Sequence, residues 1–234
     1  MDKTIIKKYI DMEGNVKERT KFRRISVVIF AGIKFLFDRF LAILGLIVCL
    51  PLMLLIAIAI KIDSKGPILF KQKRTGKFGK EFTAYKFRTM VADNNVYDLS
   101  KADEHTKVGK ILRATSLDEL PQLISIATAK MSFIGPRPWI VDYYENMTDA
   151  QRQRYIVRPG LTGLAQVMGR NDISIIKKIQ YDLDYIKNYS LKQDLKIIFL
   201  TIKVVYTGKG SDAGKDTIQK ELQELKKYNN KRKK

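Results

Sequence analysis

The dominant feature of the hydropathy pattern is an uncharged apolar run from Phe40 to Ile60, FLAILGLIVCLPLMLLIAIAI, with a shorter apolar patch over Ile25 to Ile33 ahead of it. At this length the run could span a bilayer as a helix. It begins too far from Met1 for a signal peptide, and no small-residue cleavage site follows it. Two features argue against a full span. Pro51 lies mid-run, where it removes a backbone donor and crowds the preceding turn, so a break is expected there. Both flanks are basic, with Lys21, Arg23, Arg24, Lys34 and Arg39 before the run and Lys61, Lys65, Lys71, Lys73 and Arg74 after it. Such flanks favour the cytoplasm, and a span would export one of them. A helix–break–helix hairpin keeps both inside, each half of about 10 residues reaching about 15 Å into the bilayer.

Beyond the run the pattern shortens. ILFKQ and FTAYKF flank the Gly-bearing turn GKFGK within Pro67 to Met90, which predicts a β-hairpin. Asp93 to Thr106 is polar and reads as a mobile loop. Helices are expected near 107–114, 121–130, 148–156, 174–188 and 191–206, with Thr148 and Gln151 forming a capping box. The stretch from Asp194 to Tyr206, DLKIIFLTIKVVY, is apolar enough to be either buried core or a helix in the lipid interface. Lys215 to Lys234 carries Ile218, Leu222 and Leu225 at helical spacing and ends in NNKRKK, a solvated helix with a basic tail suited to anionic lipid. The expected organisation is a basic extension over 1–33, a re-entrant membrane helix over 34–62, a main domain over 63–207 with an interfacial helix near 194–206, and a basic tail over 208–234. The fold class is α+β, predominantly helical, with one small β-hairpin.

Charge narrows the partners. There are 44 Lys and Arg against 24 Asp and Glu, a net +20, which attracts polyanions: nucleic acid, anionic lipid or phosphorylated small molecules. No nucleic-acid module is visible, and a long apolar run is out of place in one. The chain has one cysteine, Cys49, and one histidine, His105. Any metal must therefore be held by carboxylates and phosphate oxygens, a set that suits Mg²⁺, with Mn²⁺ as the alternative.

The most suggestive chemistry lies in Arg113 to Gln122, RATSLDELPQ. Asp118 and Glu119 stand next to each other near a helix start, where free N–H groups favour a phosphate. An Asp there could attack phosphorus while its neighbour holds a metal. Ser116 to Glu119 also spells a capping box, the commoner use of such a pattern. Pro121 points the other way, because Pro prefers the first helical position and would leave the pair in the loop ahead. GPRP (Gly135 to Pro138), RPGLTG (Arg158 to Gly163) and GRN (Gly169 to Asn171) combine fixed turns with Arg, which makes them plain turns or cradles for a nucleotide diphosphate.

Taken in order, KFRTM (Lys86 to Met90), LDELPQL (Leu117 to Leu123), MSFIGPRP (Met131 to Pro138) and RPGLTGLAQV (Arg158 to Val167) resemble the bacterial sugar transferase family, the monotopic phosphoglycosyl transferases that act on undecaprenyl phosphate. The resemblance runs from about Lys34 to Tyr206. It implies a cytosolic-facing enzyme at the cell membrane in which Asp118 of an Asp118–Glu119 dyad attacks the β-phosphate of a UDP-sugar, releases UMP and passes the phosphosugar to the lipid. It further implies Mg²⁺ at Asp118 and Glu119, phosphate contacts from Arg113 and Arg137, recurrent polar positions at Lys86, Arg158 and Asp182, and a membrane break at Pro51. Capsule or exopolysaccharide synthesis is the implied setting. The chain departs from the family pattern at Leu50, Ala129, Lys130, Leu164 and Met168. A weakened relative that recruits downstream glycosyltransferases as a membrane scaffold is the alternative, and UMP release separates the two.

Overall fold

The computed structural model describes residues 8–10, 16–18, 20–91, 105–169, 172–207 and 217–231. The polar stretch 93–104, Arg170 and Asn171 of the GRN motif, and the last residues of the basic tail lie outside the described residues.

Strands β1 (Lys8–Ile10) and β2 (Val16–Glu18) pair antiparallel ahead of the helix α1, Lys21–Asp63. Helix α1 begins thirteen residues before the expected boundary at 34 and runs continuously through Pro51, so the expected break does not interrupt it. At about 1.5 Å per residue its length is about 65 Å. One face is buried at Val27, Ala42, Ile56 and Ile60. Ala42 and Leu46 pack with Phe82, Leu123, Ile126 and Met131; beyond Pro51, Met53, Ile56 and Ile60 pack with Phe87 and Leu112. Both halves therefore rest on the same domain. The other face exposes Leu36, Phe40, Ile47, Val48, Leu55 and Ile58. Only 11% of its most apolar window is buried, so α1 is not a core helix that happens to be apolar.

The hairpin forms as the alternation predicts. Strands β3 (Leu69–Thr75) and β4 (Glu81–Phe87) pair antiparallel from Leu69↔Phe87 to Thr75↔Glu81. The GKFGK turn closes with Gly76 N–H donating to Lys80 O at 2.8 Å. Helix α2 (Lys107–Thr115), capped by Thr106, leads to a 3₁₀ turn at Leu117–Glu119 and then to α3, Gln122–Ala127.

The periodicity did not reveal β5 (Ser132–Ile134) pairing parallel with β6 (Gly160–Thr162), nor the short helices α4 (Val141–Glu145) and α6 (Leu164–Met168). This pairing brings GPRP and RPGLTG into backbone contact. A Cβ on Gly160 would lie 2.1 Å from Gly135 N, and one on Gly163 2.1 Å from Gly135 O. The glycines of the two motifs are thus the condition for their crossing. Helix α5 (Asp149–Arg152) starts with the Thr148–Gln151 capping box.

Helices α7 (Ile175–Lys187), α8 (Leu191–Thr207) and α9 (Thr217–Lys231) complete the domain. Helix α8 buries Ile197 and Asp194 and exposes Leu195, Ile198, Phe199, Ile202 and Val205. It is an amphipathic helix whose outer face is the apolar surface, like that of α1, a pattern that fits a membrane-associated protein. Lys34 and Asp38, the charges inside the apolar patch of α1, point inward. Lys34 Nζ lies 2.7 Å from Asp194 and 3.8 Å from Asp38. Ser132 Oγ donates to Asp38 at 2.6 Å, and Tyr185 OH donates to Asp194 at 2.8 Å. This clamp ties α1 to β5, α7 and α8.

Candidate active site

The 3₁₀ turn presents Asp118 and Glu119 at the floor of a cavity of about 1670 Å³. Ser116 enters the turn with φ 57° and makes no side-chain cap. The capping-box alternative is therefore not realised: Glu119 turns away from the backbone toward two cations. Lys86 Nζ, from β4, donates to Glu119 Oε1 at 2.5 Å, and Arg137 Nη2 donates to the same oxygen at 2.8 Å. The closest ion pair of Asp118 is Lys86 at 3.8 Å, beyond hydrogen-bond range.

This asymmetry appears in proton affinity. Burial opposes ionisation of Glu119, but Arg137 and Lys86 outweigh it and hold the carboxyl far below the usual range. Burial pushes the Asp118 carboxyl up, with Lys86 opposing the shift and the negative Glu119 adding to it. Desolvation lowers the Lys86 ammonium, whereas Glu119 raises the Arg137 guanidinium. Glu119 is thus a fixed anion, and Asp118 is a carboxylate without a close donor among the described residues.

Arg113 ends α2 at the same cavity, and its charge reaches Asp118. Its Nη1 lies 3.0 Å from His105 Nε2, while His105 Nδ1 lies 3.2 Å from Thr89 O. The chain's one histidine therefore steadies an arginine, a role its polar surroundings in the sequence did not signal. Lys86, Arg113 and Arg137 line the same cavity as the dyad.

Asp182 and Arg158 are placed differently. Asp182 is buried in the lining of the same cavity and pairs with Arg154 at 2.7 Å. Arg154 Nη2 in turn donates to the carbonyl of Arg137 at 2.8 Å, and its guanidinium stacks 3.6 Å above Trp139. Asp182 thus acts through Arg154 on the backbone that carries Arg137. Arg158 lies apart: its Nε donates to Ala129 O at 2.9 Å and its guanidinium sits 4.4 Å over the Phe35 ring of α1. It lines a second cavity of about 330 Å³, not that of the dyad. Arg154 escaped notice because QRQRY carries no turn or motif signal.

The donor set suits Mg²⁺. Two adjacent carboxylates facing a cavity match the one or two that this ion takes beside phosphate oxygens and water. Among the described residues no group of three or more His, Cys, Asp or Glu could hold a metal alone, so phosphate would complete the ligand set. Three cations against two carboxylates also leave the site positively charged, which suits an incoming diphosphate.

Comparison with known proteins agrees with this geometry. The bacterial sugar transferase family matches residues 29–208. An uncharacterized sugar transferase of Bacillus subtilis (strain 168), EpsL, is 42% identical over 181 residues, covering 76% of this chain and 89% of that protein. The UDP-glucose:undecaprenyl-phosphate glucose-1-phosphate transferase of Klebsiella pneumoniae is 43% identical over 187 residues, 73% of this chain but 40% of that protein. The UDP-N-acetylgalactosamine-undecaprenyl-phosphate N-acetylgalactosaminephosphotransferase of Aeromonas hydrophila is 39% identical over 195 residues, 78% of this chain and 46% of that protein. The chain thus spans less than half the length of the two larger relatives and most of the length of EpsL. With the match covering the hairpin, the dyad turn and both Gly/Pro/Arg loops, the chain belongs to the bacterial sugar transferase family.

Proposed function

We propose that the protein is a phosphoglycosyl transferase that moves a sugar 1-phosphate from a UDP-sugar to undecaprenyl phosphate and releases UMP. The observation that carries this reading is the asymmetry of the dyad. Glu119 is locked by Lys86 and Arg137, and Asp118, lining the same cavity, has no close donor among the described residues. The names of the relatives support the substrate classes.

In this mechanism Asp118 attacks the β-phosphorus of the donor. The bond from that phosphorus to the bridging oxygen breaks, and the oxygen leaves with UMP. The phosphosugar stays on the Asp118 carboxylate until an oxygen of the lipid phosphate attacks the same phosphorus and frees Asp118. Lys86, Arg113 and Arg137 stabilise the charge that grows on the phosphoryl oxygens. Glu119 keeps Lys86 and Arg137 aimed at that position. Asp118 and Glu119, together with the diphosphate, would hold Mg²⁺, which would neutralise charge on the phosphates.

Helix α1 lies along the membrane with its exposed apolar face in the lipid and does not cross it, and both of its ends lie on the cytoplasmic side. The basic flanks and the packing of both halves on one domain support this placement. Cysteines introduced at Lys21 and Lys73 in a Cys49→Ser background are expected to be shielded together from an impermeant thiol reagent in intact cells; labelling of one alone would mean a span. The function itself is tested with a UDP-sugar labelled in the sugar. Wild-type protein is expected to hold acid-trappable label and to release UMP, and Asp118→Asn to do neither. Substantial turnover by Asp118→Asn would overturn the covalent route.

A further inference from the structure

Helix α9 lies beyond the residues matched by the family, yet it reaches the catalytic cavity. It is docked rather than loosely appended. Leu225 is fully buried among Trp139, Tyr143, Ile175 and Ile179. Asn229 exchanges hydrogen bonds with Gln151 and donates to Asn146 O at 2.8 Å. Glu221 takes the hydroxyl of Tyr143 and the ammonium of Lys178, each at 2.5 Å. Ile218 and Glu221 line the cavity that holds Asp118, on a wall they share with Trp139, Tyr143 and Lys178.

Two arguments give this wall a task. Relatives whose names specify glucose and N-acetylgalactosamine are 43% and 39% identical to this chain. The dyad and its cations serve the phosphates common to all such donors. Discrimination between sugars needs contacts that are not common, and α9 is the cavity-lining helix outside the matched residues. The chemistry of the wall also differs from the cationic floor. A carboxylate beside an ammonium is a pair that bonds sugar hydroxyls, and the buried Trp139 and Tyr143 pack behind it as its support. Each Glu221 carboxylate oxygen accepts one bond and keeps a lone pair for a sugar O–H donor. A site built to bond a hydroxyl rejects an analogue that lacks it, because a buried polar group is then left unpaired.

We infer that α9 forms the sugar end of the donor site, with Glu221 accepting hydrogen bonds from the hexose hydroxyls and Ile218 limiting the bulk admitted there. This inference rests on the proposed use of a UDP-sugar. The test separates the two claims by measuring binding of UDP and of UDP-hexoses to Asp118→Asn protein, which does not turn over. Glu221→Gln in that background is expected to leave UDP affinity within twofold and to weaken the preferred UDP-hexose about tenfold. Ile218→Trp, which keeps both bonds of Glu221, is expected to exclude a UDP-N-acetylhexosamine more strongly than a UDP-hexose. If UDP does not bind at all, the donor class is wrong. If UDP binds and neither variant changes the ratio of sugar-nucleotide to UDP affinity, α9 is only a structural buttress and the inference fails.

Discussion

Two clusters in this molecule are built on one plan, a lysine between two carboxylates, yet they do opposite things. In the clamp, Lys34 sits between Asp38 and Asp194, and hydroxyls from Ser132 and Tyr185 close the remaining positions. All three charged side chains are at most 10% exposed. In the dyad, Lys86 sits between Asp118 and Glu119, Arg137 adds a second cation to Glu119, and no hydroxyl among the described residues closes Asp118. Both clusters line the same cavity; the clamp is satisfied there, and the dyad is half satisfied. Composition alone would not distinguish them. The difference is which oxygen remains unmatched, and an unmatched carboxylate beside three cations is poised for chemistry where a matched one only holds parts together.

The largest expected effect follows from that contrast. Asp118→Asn preserves shape and removes the free carboxylate, so turnover should fall by about 10⁴-fold or more. The thermal midpoint should stay near wild type, because Asp118 makes no close bond to lose. A large fall in the midpoint would place Asp118 with the holding groups instead.

Lys34→Met tests the other side. It strands Asp38 and Asp194 together in a buried pocket, and breaking a buried ion pair from one side costs about 3–5 kcal/mol. Chemical unfolding of the detergent-solubilised protein should show this loss, with turnover per folded molecule little changed. Unaltered stability would mean that α1 is held by its apolar contacts alone.

How much of this could be seen in the sequence follows the range of the interactions. The apolar run, the hairpin and the dyad announce themselves because a local pattern encodes each: an uninterrupted run, an alternation around a glycine turn, and adjacent carboxylates before a proline. The crossing of GPRP and RPGLTG was not legible, because three-residue strands far apart in the chain carry no periodic signal. The contacts of Asp182 and Arg158 were not legible for the same reason. Asp182 reaches the site through Arg154, and Arg158 turns toward Phe35 of α1, contacts that only the folded chain creates. The clamp was hidden too, since Lys34 and Arg39 read simply as a basic flank while Asp38 passed without remark.

Metal removal gives a further contrast. Excess chelator should abolish UMP release, since Asp118 and Glu119 would share the ion with the diphosphate, and added Mg²⁺ or Mn²⁺ should restore it. The unfolding midpoint without donor should not move, because Lys86 and Arg137 already neutralise Glu119 in the free protein. Full activity in chelator would take the ion out of the reaction.

The smallest expected effect probes how complete the clamp is. Ser132→Ala removes the 2.6 Å donor to Asp38 and leaves that carboxylate with Lys34 at 3.8 Å. A buried acceptor that loses its partner costs about 1–3 kcal/mol. Asp38→Asn offers a check on the cause. It removes the negative charge that makes the Ser132 bond strong, so in that background Ser132→Ala should cost less, with a coupling of about 1 kcal/mol between the two sites. If the two effects instead add within about 0.5 kcal/mol, the normal tolerance for independent sites, the hydroxyl does not complete the clamp. The contrast with the dyad would then rest on burial alone, and Asp118 would lose the feature that distinguishes it from Asp38.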